Sequence, residues 1–154
     1  MKTKNVVTAG VIASLYVVLT MISAMFGMSS GVIQVRLSET LTVLPYFTSA
    51  AIPGLFIGCL IANVLSGSVV IDVIFGSIAT LLGAVLSYIL RKNRYLVSIP
   101  PVLSNMIIVP MVLKYAYHLE DAFWFMAVTV GTGQIISCCI LGNLLLYSID
   151  KIKR

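Results

Sequence analysis

Charge is what this sequence has least of. Asp, Glu, Lys and Arg make up 10% of its 154 residues, against about 25% in soluble domains, and that scarcity excludes an ordinary water-soluble fold. Motifs for nucleotides and metals are missing as well. No Gly-x-x-x-x-Gly-Lys-Ser/Thr phosphate loop occurs, so the chain by itself is not expected to hydrolyse ATP. With one histidine, His118, it has no HExxH pair for a catalytic zinc. The three cysteines, Cys59, Cys138 and Cys139, lie in apolar runs without CxxC spacing and read as small packing residues. Neither a cofactor nor a metal is expected. The net charge of +5 does not indicate nucleic acid, because the basic residues stand at the ends of apolar runs, where they act as topology signals.

What is present is hydrocarbon: 60% of the chain is hydrophobic. A helix needs roughly 20 apolar residues to cross a core of about 30 Å, so six crossings use nearly the whole chain. The expected architecture is an all-α membrane protein, a single domain of six transmembrane helices at 5–25, 36–50, 53–65, 69–90, 97–114 and 122–149. The first apolar stretch exceeds a signal-peptide core of about 7–15 residues and lacks an Ala-x-Ala cleavage site, so it is expected to stay as a helix. Pro45 and Pro53 divide the second and third helices, which are short. Pro53 in a first helical turn loses no internal hydrogen bond.

The charges test this layout. Lys2, Lys4, Arg91, Lys92, Arg94, Lys151, Lys153 and Arg154 all fall on one side of it, and the positive-inside rule makes that side, with both termini, cytoplasmic. Arg36 and Lys114 fall on the other side, as do Glu39, Asp72, Glu120 and Asp121.

Ionisable groups inside a membrane are costly and usually face a cavity or a partner. Gln34, Arg36, Glu39, Asp72, His118 and Trp124 come from separate parts of the sequence yet converge near the outer face, with Asn105 and Gln134 deeper in the same bundle. Together they are candidates for a pocket open to the outside. Other roles stay open for several of them. Arg36 and Glu39, three apart on a helix, could pair with each other; His118 and Trp124 could mark the membrane interface; Asn105 or Gln134 could join helices. Carboxylates accept hydrogen bonds and counter cations, while amides donate and accept. Such a set suits a small polar ligand rich in N–H donors, with Trp124, Tyr46 or Tyr117 available for stacking. Ala9 and Ala13, with Gly10 and Ser14 beside them, form a small-residue stripe for close helix contact, within the chain or with a partner.

The segments Val35-Arg-Leu-Ser-Glu-Thr-Leu-Thr-Val-Leu-Pro45, Ala51-Ile-Pro-Gly-Leu-Phe-Ile-Gly-Cys-Leu-Ile-Ala-Asn63 and Asp72-Val-Ile-Phe-Gly-Ser-Ile-Ala-Thr80 resemble the QueT family, over almost the whole chain. The first of them is the most specific. The resemblance implies a substrate-binding S component of an energy-coupling factor (ECF) transporter in the bacterial cell membrane, taking up a queuosine precursor such as the 7-deazaguanine preQ1. It implies partners that supply the missing ATPase: a transmembrane coupling subunit and two ATPase subunits. It implies that Ala9 and Ala13 meet the coupling subunit and that the loop 26–35 gates the pocket. For preQ1, Glu39 is expected to accept from the guanine-like edge and Asp72 to serve the aminomethyl cation, or the reverse. An S component for a different vitamin or small polar metabolite, a solitary carrier or channel, and an intramembrane enzyme are the rival readings.

Overall fold

The computed structural model describes residues 3–28, 35–118, 120 and 122–153. Among them are six helical segments. Helix α1 (Thr3–Met25) is followed by a 3₁₀ helix (Leu37–Tyr46), then α2 (Ala51–Leu65), α3 (Val70–Ile89) and α4 (Ile99–Tyr115). The last segment is one continuous rod made of α5 (Phe123–Gln134), a π-helical stretch (Ile135–Leu141) and α6 (Gly142–Lys153). Three helices, Thr3–Met25, Val70–Ile89 and Phe123–Ile152, are long and apolar enough to cross a membrane, and Ala51–Leu65 and Ile99–Tyr115 are shorter apolar helices. A helical bundle of this composition is a membrane protein.

Successive segments alternate in direction. Tyr16 and Ser23 of α1 bond Glu39 and Leu37 of the 3₁₀ helix in reverse order, so those two run antiparallel. Gly54 and Gly58 of α2 lie against Ala9 and Ala13 of α1 in the same order, so α1 and α2 run parallel. The pairs Thr80–Cys59, Gly83–Pro101 and Ser98–Asn143 continue the alternation through the remaining helices. The beginning of α1 and the end of α6 therefore lie at one end of the bundle, with the 90–97 connection between α3 and α4.

The sequence predicts an ordinary helix at 36–50; the chain there is 3₁₀ instead. Its i, i+3 geometry stacks side chains three apart on one line, and Glu39, Thr42 and Pro45 are all buried. The Thr42 hydroxyl donates back to the Glu39 carbonyl at 2.6 Å, and Pro45 has no N–H to offer an α-helical ladder. At about 2.0 Å per residue such a segment covers roughly 20 Å, less than the roughly 30 Å of a full crossing. Pro53, as expected, sits in the first turn of α2, where its missing N–H leaves no gap.

A second departure concerns the small-residue stripe. Ala9 and Ala13 are 8% exposed, because α2 presents Gly54 and Gly58 to them. A Cβ on Gly54 would stand 2.7 Å from the Ala9 carbonyl oxygen, and one on Gly58 would stand 2.8 Å from Tyr16 Cβ and 3.0 Å from Ala13 Cα. In lipid, where apolar burial alone does not drive helices together, such backbone approach is a main source of packing energy. The pair expected to face a partner is thus taken up inside the chain, while its neighbours Gly10 and Ser14 are exposed.

This seam makes a direct test. Gly58→Ala is expected to lower stability by about 1–3 kcal/mol through overpacking, whereas Gly10→Ala, which meets nothing within 4 Å, should leave it unchanged or raise it by about 0.5–1 kcal/mol. Thermal melts in detergent that moved equally for the two variants would refute the parallel α1–α2 seam.

Candidate functional site

The bundle end away from the termini holds a chamber of about 670 Å³, within the range of roughly 300–1,000 Å³ typical of small-molecule sites. The last turns of α1 wall one side, with Thr20 and Met21; the Ser66–Ser68 turn, Asp72 and Tyr117 wall the other, and Arg36 and Asn63 reach its base. The turn needs its glycine: Gly67 has φ +71°, a backbone region that other residues enter at a cost. Asp72 comes from the first turn of α3 and is 7% exposed. The Tyr117 hydroxyl donates to its Oδ2 at 2.9 Å. Burial raises the Tyr117 pKa, and the Asp72 charge adds to the rise while a hydrogen bond with Ser68 opposes it. Tyr117 therefore remains a donor at neutral pH.

Below the chamber lies a second, tighter recess of about 20 Å³, room for about one water. Glu39, Thr80, Asn105 and Gln134 line it, each from a different segment. Glu39 is 2% exposed. It accepts a short hydrogen bond from the Tyr16 hydroxyl on Oε1, and Asn105 Nδ2 lies 3.4 Å from Oε2. Gln134 is held from the π-helical side, where the Cys138 thiol approaches its Oε1 at 3.2 Å and the Glu39 carbonyl at 3.5 Å. Arg36 borders both spaces. Among the described residues no carboxylate lies within 4.0 Å of its guanidinium, so Arg36 and Glu39 are neighbours without being a closed ion pair.

A Cβ on Gly76 would lie 3.1 Å from Asn63 Nδ2 and 3.2 Å from Asp72 Oδ1, so a glycine at this position leaves room for both polar groups.

Five of the residues singled out from the sequence thus come together: Arg36, Glu39, Asp72, Asn105 and Gln134. His118 and Trp124 do not join them. Trp124 is 77% exposed, edge-on to Phe123 at 5.7 Å, and His118 is exposed on a left-handed backbone of φ 52°. Trp124 begins α5 with its ring outward, a position suited to the bilayer interface. Gln34 lies outside the described residues, as does most of the expected 26–35 gate, although the Val35 N–H does bond the Met28 carbonyl at 2.9 Å.

The sequence reading missed Tyr16, Asn63 and Thr80, and gave Tyr117 only a stacking role. One signal for Tyr16 was available. Tyr16, Thr20 and Ser23 recur at helical spacing along α1 and are all buried, a polar stripe inside an apolar helix that faces the 3₁₀ segment.

The profile of the QueT transporter family matches residues 6–151. The chain belongs to this family. A QueT relative, the "Queuosine precursor transporter QueT" of Lactococcus lactis subsp. cremoris (strain MG1363), is 44% identical over 80 residues, covering 52% of this chain and 47% of that protein. The match thus spans about half the length of that curated relative. No solved structure matches the chain. The family is described as one of transporters, and a queuosine precursor is what the relative's name states for that protein.

Tyr16→Phe isolates the deep tier. Removing a hydroxyl that serves a buried carboxylate is expected to cost about 1–3 kcal/mol, read as a lower melting temperature of the ligand-free chain. Tyr117→Phe, at a 38% exposed position, should cost less. A larger loss at Tyr117 than at Tyr16 would contradict the burial-based ranking of the two bonds.

Proposed function

We propose that this chain is the substrate-binding S component of an ECF importer, a membrane subunit without catalysis of its own, that captures a preQ1-like 7-deazaguanine from outside. The observation that carries this reading is the two-tiered chamber that gathers Arg36, Glu39, Asp72, Asn105 and Gln134 at one end of an apolar bundle. Its position supports the direction of capture: the opposite end bears Arg91, Lys92, Arg94 and Lys151, and basic residues favour the cytoplasmic side. The proposed setting is the bacterial cell membrane, with both termini inside and the chamber open outward.

The ligand chemistry follows from the side chains. With both carboxyls ionised, Glu39 and Asp72 against Arg36 leave one negative charge in excess, which suits a ligand carrying one aminomethyl cation. Glu39, Asn105 and Gln134 offer acceptors and amide donors for the edge of a guanine-like ring. Asp72, at the wider tier, is placed to take the cation, with Tyr117 and Asn63 beside it. The recess around Glu39 has room for about one water, and in this reading Arg36, which borders both spaces, moves toward the chamber to admit the ring edge. Charge-assisted bonds are roughly twice as strong as neutral ones.

The ATP-driven step belongs in this reading to partners, a transmembrane coupling subunit and two ATPase subunits. With Ala9 and Ala13 occupied by α2, Gly10 and Ser14 beside them are the small residues of that stripe left to approach a partner helix.

Titration of the detergent-purified chain with preQ1 tests the assignment. Glu39→Gln and Asp72→Asn should each weaken binding by about 10- to 100-fold, the scale of losing a hydrogen bond to a charged group. Unchanged affinity in both variants would remove the ligand from this chamber, and tight binding of a vitamin with no binding of deazaguanines would replace the substrate.

A further inference from the structure

Arg36 is a cation without a partner in a place where one is expensive. It is the N-cap of the 3₁₀ helix, with an extended backbone of φ −103° and ψ 110°. Its side chain therefore leaves the line on which Glu39, Thr42 and Pro45 are stacked, and it borders both the wide chamber and the recess below. A guanidinium carries five N–H donors in a planar fork. Among the described residues that of Arg36 joins no hydrogen bond and has no carboxylate within 4.0 Å. The arginines of the 90–97 connection are engaged by contrast, Arg94 with Asp150 and the Tyr147 ring and Arg91 with the Tyr88 ring.

Glu39 explains why the pair stays open. Tyr16 holds its Oε1 from α1 and Asn105 approaches its Oε2 from α4, so the carboxylate is tied to two other helices, with lone pairs to spare on both oxygens. A donor fork and an acceptor thus border one recess without meeting. That is the complement of a ring edge carrying a carbonyl oxygen beside an N–H. The neutral groups of the recess do not impose this order. The Asn105 and Gln134 amides both donate and accept, and the Thr80 hydroxyl rotates to suit. Only Arg36, which cannot accept, and the Glu39 carboxylate, which cannot donate, read the edge one way round.

Resting on the reading of the chamber as a deazaguanine site, we propose that Arg36 is a specificity-determining residue that donates to the ring's carbonyl oxygen while Glu39 accepts from the adjacent ring N–H. Arginine facing that oxygen is also how proteins read guanine in nucleic acids. Selection works by penalty. A ring with an amino group in place of the carbonyl turns an N–H toward the Arg36 donors and a bare nitrogen toward Glu39, so each charged group loses its partner.

The detergent-purified chain is titrated with preQ1 and with its amino analogue, which differs only in that edge, and the readout is the ratio of the two affinities. Both ligands carry the same aminomethyl cation, so the contribution of Asp72 cancels. The native chain is expected to prefer the carbonyl ring by about 10²- to 10⁴-fold, two contacts at about 10- to 100-fold each. Arg36→Met, which removes the donors, should lower that ratio by about 10- to 100-fold. Arg36→Gln, whose amide can donate to a carbonyl or accept from an amino group, should lower it as well, and it carries the test if the methionine variant does not fold. A ratio unmoved in a folded variant, with both affinities falling alike, would overturn the assignment and leave Arg36 a structural counter-charge. Equal affinity of the native chain for the two rings would also overturn it. Binding of neither ring by the native chain would instead overturn the deazaguanine reading, and this proposal with it.

Discussion

A carboxylate in the middle of an apolar bundle is tolerable only if donors are already arranged around it, because the surrounding hydrocarbon supplies none. Glu39 sets that requirement here, and the geometry of two other segments answers it. Tyr16 must be on the face of α1 that meets the 3₁₀ helix. Asn105 must arrive from α4. The last rod meets the backbone of the same residue, where the Cys138 thiol approaches the Glu39 carbonyl at 3.5 Å. Each requirement fixes a helix rotation, so the acid that a ligand is proposed to meet also determines how the bundle is assembled.

The two non-α segments are where this accommodation takes place. A 3₁₀ helix lines up Glu39, Thr42 and Pro45 on one side, and the π-helical stretch of the last rod lies against that side through Cys138. Gly142 closes the contact, since a Cβ there would come within 2.8 Å of Val43 Cγ1. An ideal α-helix in either place would rotate the polar groups out of step with one another. Over-wound and under-wound turns facing each other let both segments keep their buried polar atoms near the recess.

Much of this was legible in the sequence, for physical reasons that can be named. Charge is so expensive in lipid that the positions of Arg36, Glu39 and Asp72 alone pointed to a shared cavity, and the apolar runs fixed the number of segments. The family resemblance was carried by the same polar interruption at 35–45. What the sequence hid were matters of rotation and pairing. Tyr16 reads as one more packing residue until its face is known. Ala9 and Ala13 looked available because nothing in a linear chain says that α1 and α2 run parallel with glycines opposite them. Trp124 carried the chemistry of a stacking platform, but a side chain at the start of a membrane helix can point to lipid as readily as inward, and here it does. The 3₁₀ geometry at 37–46 depends on buried partners from distant segments, which no local propensity records.

The glycine–alanine seam between α1 and α2 has a mechanical meaning as well as a packing one. Backbones in contact at two successive turns, Ala9 with Gly54 and Ala13 with Gly58, cannot slide past each other by a fraction of a turn without collision. The two helices are thereby locked in register at the end of the bundle away from the chamber, while beside the chamber the first turn of α3 and the segment after α4 are tied by the single Asp72–Tyr117 hydrogen bond.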